Sequence, residues 1–553
     1  MAFSELLQHV GDLGRYQILL GLMLLLISTL MNTHNFVENF SAAIPAHRCY
    51  THLLDNATFV TSVSTNLTTE ALLRVSIPMD PNNKPEQCRR FRQTQWQLLD
   101  SNESATNTNE LETEPCLDGW VYDQSIFTST IVTKWDLICD KQSLKSLSQC
   151  IFMVGQMIGS PVSGYFADRF GRKPVLLCFS LLLGLLGTCS LFAPSFPVYC
   201  TLRFVMAISL GSVTGNSIIV LIEWIPTKAR PTMMTALSLS MSSGLLLLAG
   251  LAYVFREWHM LQLVISVPYF AFFLLLWWFP ESACWLIIAG KLEKALKELK
   301  RVAQINGKKD AAEKLNIEIL RSTMREELDS LKHHSKIKEL IASSVMRRII
   351  CHLCFTRDFS GIFFLFALLL ELNNLGSNIF LTQALLGIID FPAKCLSLFI
   401  MKHLSRRASI AIALLLAGSS ILVNLFVPQD RSFLRIGIAM VGKGSMAMYF
   451  SMSMTYNMEL TPTGSRSLIQ GILTFTSGLA AALGSLILIT KQYFAPLAMI
   501  LCGSLPIMAS ICVYFLPETQ NLPLPDTIMD VINLRKSRLE AHSEICVFEP
   551  SWL

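Results

Sequence analysis

Charge is what this sequence has least of. Of 553 residues only 15% are Asp, Glu, Lys or Arg, against about 25% in soluble domains. Hydrophobic residues make up 52%, and mean hydropathy is +0.47. The shortage falls in long uncharged stretches, which excludes a soluble multidomain enzyme and a disordered chain. A continuous basic face is missing too: the net charge is +5, and Lys and Arg gather in short segments between apolar runs, so nucleic acid is not an expected partner. HExxH, Walker A, GxSxG and paired CxxC patterns are all absent, so catalysis has no motif to build on and neither metal nor cofactor is expected.

What is present is apolar length. A helix needs about 20 predominantly apolar residues to cross ~30 Å of hydrocarbon. Stretches free of Asp, Glu, Lys and Arg occupy 16–37, 146–167, 204–222, 231–255, 258–280, 408–429, 467–490 and 492–517. The run 174–202 exceeds one crossing and contains Pro194 and Pro197, which predicts one helix ending near Phe192 and another from Val198 to Glu223. Three further spans carry internal charge: 349–370 with Arg357 and Asp358, 377–401 with Asp390 and Lys394, and 436–458 with Lys443. An intramembrane charge costs ~2.5–3.5 kcal/mol on insertion scales, so these residues should face the bundle interior. The sum is an all-α membrane protein of twelve transmembrane helices in a lipid bilayer.

The loops set the expected topology. Basic clusters occupy 168–173 (DRFGRK), 228–230 (KAR), 291–348, 402–407 (KHLSRR) and Arg466, which the positive-inside rule places in the cytoplasm together with both termini. Residues 38–145 should then lie outside. They contain sequons at Asn39, Asn56, Asn66 and Asn102, the first close to the end of helix one, and four of the fifteen cysteines, Cys49, Cys88, Cys116 and Cys139. Two disulfides are expected, with three connectivities open. The expected segments are 1–15, a cytoplasmic N-terminus; 16–37, the first helix; 38–145, the glycosylated loop; 146–286, helices two to six; 287–348, a cytoplasmic helical loop; 349–517, helices seven to twelve; and 518–553, a cytoplasmic tail. In the helical loop, KLEKALKELKRVAQI spaces apolar residues for one stripe, fit to pack on the bundle or to lie at the lipid interface.

An internal repeat carries the strongest signal. EWIPTKAR places Glu223 and Arg230 where ELTPTGSR places Glu459 and Arg466, 236 residues on. PES at Pro280 and PET at Pro517 are 237 apart, and Arg172 and Arg406 are 234 apart. Three matched signatures argue for a six-helix unit duplicated in parallel, the layout of major facilitator transporters. GYFADRFGRK resembles that superfamily's loop between helices two and three. ENFSAAIPAHRC, EPCLDGWVYD, STIVTKWDLICD, QCRRFRQTQWQLLD and LPETQNLPLPDTI resemble the organic anion transporter branch of the organic ion solute carriers. The likeness is greatest to renal urate and organic-anion exchangers and to rodent prostaglandin and steroid-conjugate transporters.

The resemblance implies sodium-independent, secondary active or facilitative transport of organic anions by alternating access at the plasma membrane. A counter-anion is a possible partner, and no ATP-binding motif is present to power the cycle. Asp168, Arg169, Arg172, Glu223, Arg230, Glu281, Arg406, Glu459, Arg466 and Glu518 are candidates for a conformational latch, pairing across the halves in one state and parting in the other. Asp390 and Lys394, four apart, share a helix face within ion-pair reach, and DFPAK and GKGSMA resemble family anion-site patterns, implicating Lys394 and Lys443. Phe363, Phe366, Tyr449 and Phe450 are candidate apolar walls, and His34 matches a family histidine. Two departures shape the expected substrate: Met241 stands where the urate pattern has Phe, and Gly478 where family members carry an Arg in helix eleven. Small dicarboxylates should therefore bind poorly, and amphipathic monoanions such as prostaglandins or steroid sulfates are expected first. The C-terminal Ser551 and Leu553 fit a PDZ ligand pattern. An organic cation or zwitterion transporter of the same fold, or a non-transporting receptor or scaffold, stands as the alternative.

Overall fold

The computed structural model describes residues 7, 11, 13–56, 68–80, 84–99, 112–226, 229–308, 315–323, 340, 342–374, 379–428, 431–462, 466–520, 529 and 531–532, with backbone alone at 231, 319, 369–374, 466–467 and 488–495. The chain divides into two compact units, Met1–Val37 with Ser146–Val254 and Gln262–Leu553, and Glu38–Lys145 with Phe255–Leu261.

The helical bundle makes up the first unit, except that the first residues of spans 2 and 6 belong to the second; its spans are numbered here in chain order. Span 1 is Arg15–Phe36, span 2 Ser143–Phe170, span 3 Arg172–Cys189, span 4 Phe196–Trp224 and span 5 Arg230–Val254. Span 6 has two segments, Trp258–Ser266 and Pro268–Trp278, parted where Pro268 withdraws a donor. Span 7 runs as Ser344–Leu353, a π turn Cys354–Phe359, then Ser360–Asn374; span 8 as Ile379–Ile388 and Asp390–His403. Span 9 is Arg406–Phe426 and span 10 Ser432–Leu460. Among the described residues, 11 helices are long and apolar enough to cross a membrane. Span 10, 29 residues long, falls short of that hydropathy because Arg435, Lys443 and Glu459 lie on it.

Spans 11 and 12 depart from expectation. One helix, Arg466–Val513, carries both crossings, Leu468–Ile487 and Pro496–Val513. Residues 490–495 contain neither Gly nor Pro, so nothing breaks helical pairing before Pro496.

Each half builds its own core. In the first, Tyr16, Leu24, Leu210, Trp224 and Leu286 pack together, with Tyr16 edge-on to Trp224 at 5.0 Å. The linker helix Leu292–Ile305 joins this core through Ala295, Leu299, Val302 and Ala303, so its apolar stripe is buried in protein. Asn306 at its end accepts from the backbone N–H of Tyr16 at 3.0 Å and donates to Gln17 at 3.0 Å. In the second half, Phe364, Leu414, Met446, Tyr449 and Leu473 form the equivalent cluster.

The second unit is small and cross-linked. β1 (His47–Cys49) pairs antiparallel with β4 (Trp120–Tyr122), and β2 (Arg89–Phe91) with β3 (Thr113–Pro115). Disulfides join Cys49 to Cys116 and Cys88 to Cys139. Arg48 donates to both oxygens of Asp55, at 2.8 and 2.6 Å, and Arg90 reaches Glu114 at 2.9 Å and Asp118 at 2.7 Å. Asn56 ends the short helix His52–Asp55, whereas the Nδ2 of Asn39, the atom a glycan would occupy, is buried. Asn66 and Asn102 lie outside the described residues.

Candidate functional site

Three charged residues of the crossings, Asp390, Lys394 and Lys443, converge on one cluster. Asp390 opens the second segment of span 8, and Lys394 follows one turn later; both are buried. The sequence expects these two to pair with each other. Instead the Lys443 Nζ donates to Asp390 Oδ1 at 2.8 Å, bringing span 10 to span 8. Lys394 turns to span 5, donating to the Ser238 carbonyl and the Ser242 hydroxyl, each at 2.6 Å, and Ser242 Oγ donates to Asp390 Oδ2 at 3.0 Å. A side chain rooted one turn along the same helix does better to reach a facing helix than to bend back, and span 5 supplies the oxygens. Two ammoniums around one carboxylate leave the cluster with a net charge of about +1. Ser238 and Ser242 were not singled out in the sequence; serines in apolar helices carry no signal of which facing helix they meet.

This cluster links the two halves of the bundle. Along the same seam Gly387 of span 8 sits under Leu246 of span 5, and Tyr253 meets Phe380 edge-on at 5.8 Å. Gly478 of span 11 faces Met157 of span 2 so closely that a Cβ would lie 2.6 Å from the Met157 Cβ. A small apolar hollow of about 10 Å³, lined by Leu386, Ile436, Ala439 and Met440 among others, lies one helical turn from Asp390 and Lys443.

The aromatic candidates are divided. Phe450 packs on Gly361 of span 7 and Phe366 on Gly484 of span 11. Phe363 lies 6.1 Å from Phe359, and Tyr449, buried, donates to the Thr356 carbonyl at 2.6 Å. His34 lies wholly buried inside the first half, its Nε2 3.3 Å from the Ile265 carbonyl and its ring 5.5 Å from Tyr269. It is not brought to the charged cluster.

The repeated signatures form two matching networks, and every pair in them among the described residues lies within one half. Glu281 accepts from the backbone N–H groups of Arg172, Lys173 and Ser282, at 3.0, 3.1 and 2.9 Å. Glu518 accepts from those of Arg406, Arg407 and Thr519, at 2.9, 3.2 and 3.1 Å. Each carboxylate thus occupies the exposed donors and positive dipole end of a span, span 3 or span 9. Arg172 reaches Glu223 at 3.4 Å and Arg406 reaches Glu459 at 3.2 Å. Ser282 and Thr519 donate to the same glutamates at 2.5 Å. These two hydroxyls were missed in the sequence, although PES and PET contain them. Burial alone would raise the Glu518 carboxyl, but four backbone N–H donors, from Arg407, Arg406, Thr519 and Gln520, hold it below its usual value. Asp168 joins the first network by a 2.6 Å pair with Arg172. Arg169 is exposed beside Tyr165 and Phe170, and Arg230 donates to the Ile225 carbonyl at 3.2 Å. The side chain of Arg466 lies outside the described residues, as do Ser551 and Leu553.

Two six-span halves with a repeated charge network at one end and a polar cluster on the seam between them define a transporter of the major facilitator fold. The profile of the family described as "Sugar (and other) transporter" matches residues 89–527. Solute carrier family 22 member 22 of Mus musculus is 47% identical over 534 residues, covering 96% of each chain, and member 12 of Homo sapiens is 46% identical with the same coverage. A steroid transmembrane transporter of Equus caballus is 43% identical over 98% of each chain. The proton:xylose symporter XylE bound to 6-bromo-6-deoxy-D-glucose superposes with a TM-score of 0.58 at 15% identity, over 92% of this chain and 98% of that one, a likeness of fold. The chain belongs to solute carrier family 22, within the sugar (and other) transporters. Its relatives are transporters, not enzymes.

Proposed function

We propose that this protein carries amphipathic organic monoanions, steroid sulfates or prostaglandins, across the plasma membrane by alternating access, with both termini in the cytoplasm. The observation that carries the reading is the cluster of Asp390, Lys394, Lys443 and Ser242 on the seam between spans 5 and 8. Its excess positive charge asks for an anion, and the apolar side chains one turn away, Leu386, Ile436, Ala439 and Met440, would face a hydrophobic body once the seam opens. Substrate and seam compete for one group: an anion bound by Lys394 weakens the hold on Ser238 and Ser242, so binding favours parting of the halves. That is the differential interaction a conformational cycle requires. The networks at Glu281 and Glu518 then keep each half rigid while the seam opens.

The steroid transporter among the relatives agrees with a sulfated or otherwise anionic steroid as cargo. Gly478 argues against small dicarboxylates, because no guanidinium stands there to bind a carboxylate in two-point fashion. The test is uptake of labelled estrone sulfate, prostaglandin E2 and urate into cells with and without preloaded glutarate. Uptake of the amphipathic anions at rates indifferent to glutarate is expected. Strong stimulation by glutarate would overturn the dicarboxylate part of the reading, and no anion uptake with normal surface delivery would overturn it whole.

A further inference from the structure

Two further intramembrane charges, Arg357 and Asp358, lie in span 7, where the helix widens to a π turn at Cys354–Phe359. Such turns insert one residue and are common at functional sites. Here the widened turn frees the Thr356 carbonyl, which accepts from the Tyr449 hydroxyl and from Ser360. Asp358 is buried, and its Oδ2 accepts from Thr476 of span 11. Arg357 Nε lies 3.9 Å from Asp358 Oδ1, too far for a firm hydrogen bond. Arg357 Nη1 and Asp358 Oδ1 are both buried with no hydrogen-bond partner among the described residues.

A guanidinium brings five donors, and burying one with an unused nitrogen is costly unless another ligand completes it. The surroundings point to that ligand. Thr476 stands two residues before Gly478, where span 11 meets Met157 of the opposite half. Gly361, one turn along span 7, packs on Phe450. The turn thus sits between the half-to-half seam and an aromatic wall, beside the point where span 11 has no cation.

We infer that Arg357 is a second anion-binding residue, whose guanidinium receives the sulfate or carboxylate of the substrate from span 7 while Asp358 and Thr476 hold it in place. The inference rests on the anion-transport reading above and assigns the group that fixes the anionic end of the cargo.

The test is concentration-dependent uptake of labelled estrone sulfate by wild type, Arg357→Lys, Arg357→Met and the double variant Arg357→Met/Asp358→Asn, at matched surface density. A binding role predicts that KM rises ~10-fold or more in Arg357→Met, the loss of a charge-assisted hydrogen bond. It predicts partial recovery in Arg357→Lys and no recovery in the double variant. A purely structural pair predicts the reverse: Arg357→Met suffers from a stranded carboxylate, and removing Asp358 as well restores wild-type KM. Wild-type KM in the double variant would overturn the inference and leave anion transport standing. No estrone sulfate uptake by wild type would instead remove the reading on which the inference rests, and the inference with it.

Discussion

At the scale of single residues, the carboxylates at the span ends show how burial and hydrogen bonding divide the work. Glu518 is held ionised by backbone donors, so its folded-state pKa lies below the ordinary value of 4.5. A carboxyl depressed in this way contributes stability that is fully present above its unfolded value and is lost as pH falls through the folded value. Purified Glu518→Gln protein should therefore melt below wild type at neutral pH. The gap should close as pH drops through and below about 4.5; a gap independent of pH would refute the assignment. These carboxylates were legible in the sequence because each is repeated about 236 residues on. The partners of Lys394 were not, since reaching Ser238 and Ser242 depends on which helix faces span 8. The spacing of Asp390 and Lys394 suggested a pair within one helix; the geometry gave Asp390 to Lys443.

At the scale of elements, the two halves solve the same corner with different backbones. Gly171, before span 3, has φ +111°, and a Cβ there would lie 2.5 Å from Glu281 Oε2. Ser405, before span 9, has φ −60° and accepts from the Ala408 N–H at 3.4 Å. Ser405 stands where the first half has Gly171, and its hydroxyl makes it an N-cap. Gly171→Ala should cost ~1–3 kcal/mol, from forbidden backbone space and displacement of Glu281. Ser405→Ala should cost about 1 kcal/mol, the worth of a cap. Thermal melting of the detergent-purified variants checks the order, and equal losses would contradict it. Helix ends such as these announce themselves through Gly, Ser and Pro. The join of spans 11 and 12 carries no such residue before Pro496, which is why helical pairing runs through it.

At the scale of the whole molecule, duplication was the most legible feature, because three signatures at near-constant offset survive in one chain. Apolar length recovered the crossings, span 10 among them even though Lys443 within it and Arg435 near its start lower its hydropathy. The disulfide pairing and the seam between halves were beyond the sequence, being products of packing between distant segments. The account's central claim is that an organic anion binds on that seam through Lys394. The most direct measurement is initial-rate uptake of labelled estrone sulfate by wild type and Lys394→Ala at equal surface density, with a cationic tracer alongside. The account predicts saturable anion uptake by wild type, its loss by ~10-fold or more in the variant, and no saturable cation uptake in either. Undiminished anion uptake by Lys394→Ala, or saturable uptake of the cation, would contradict it.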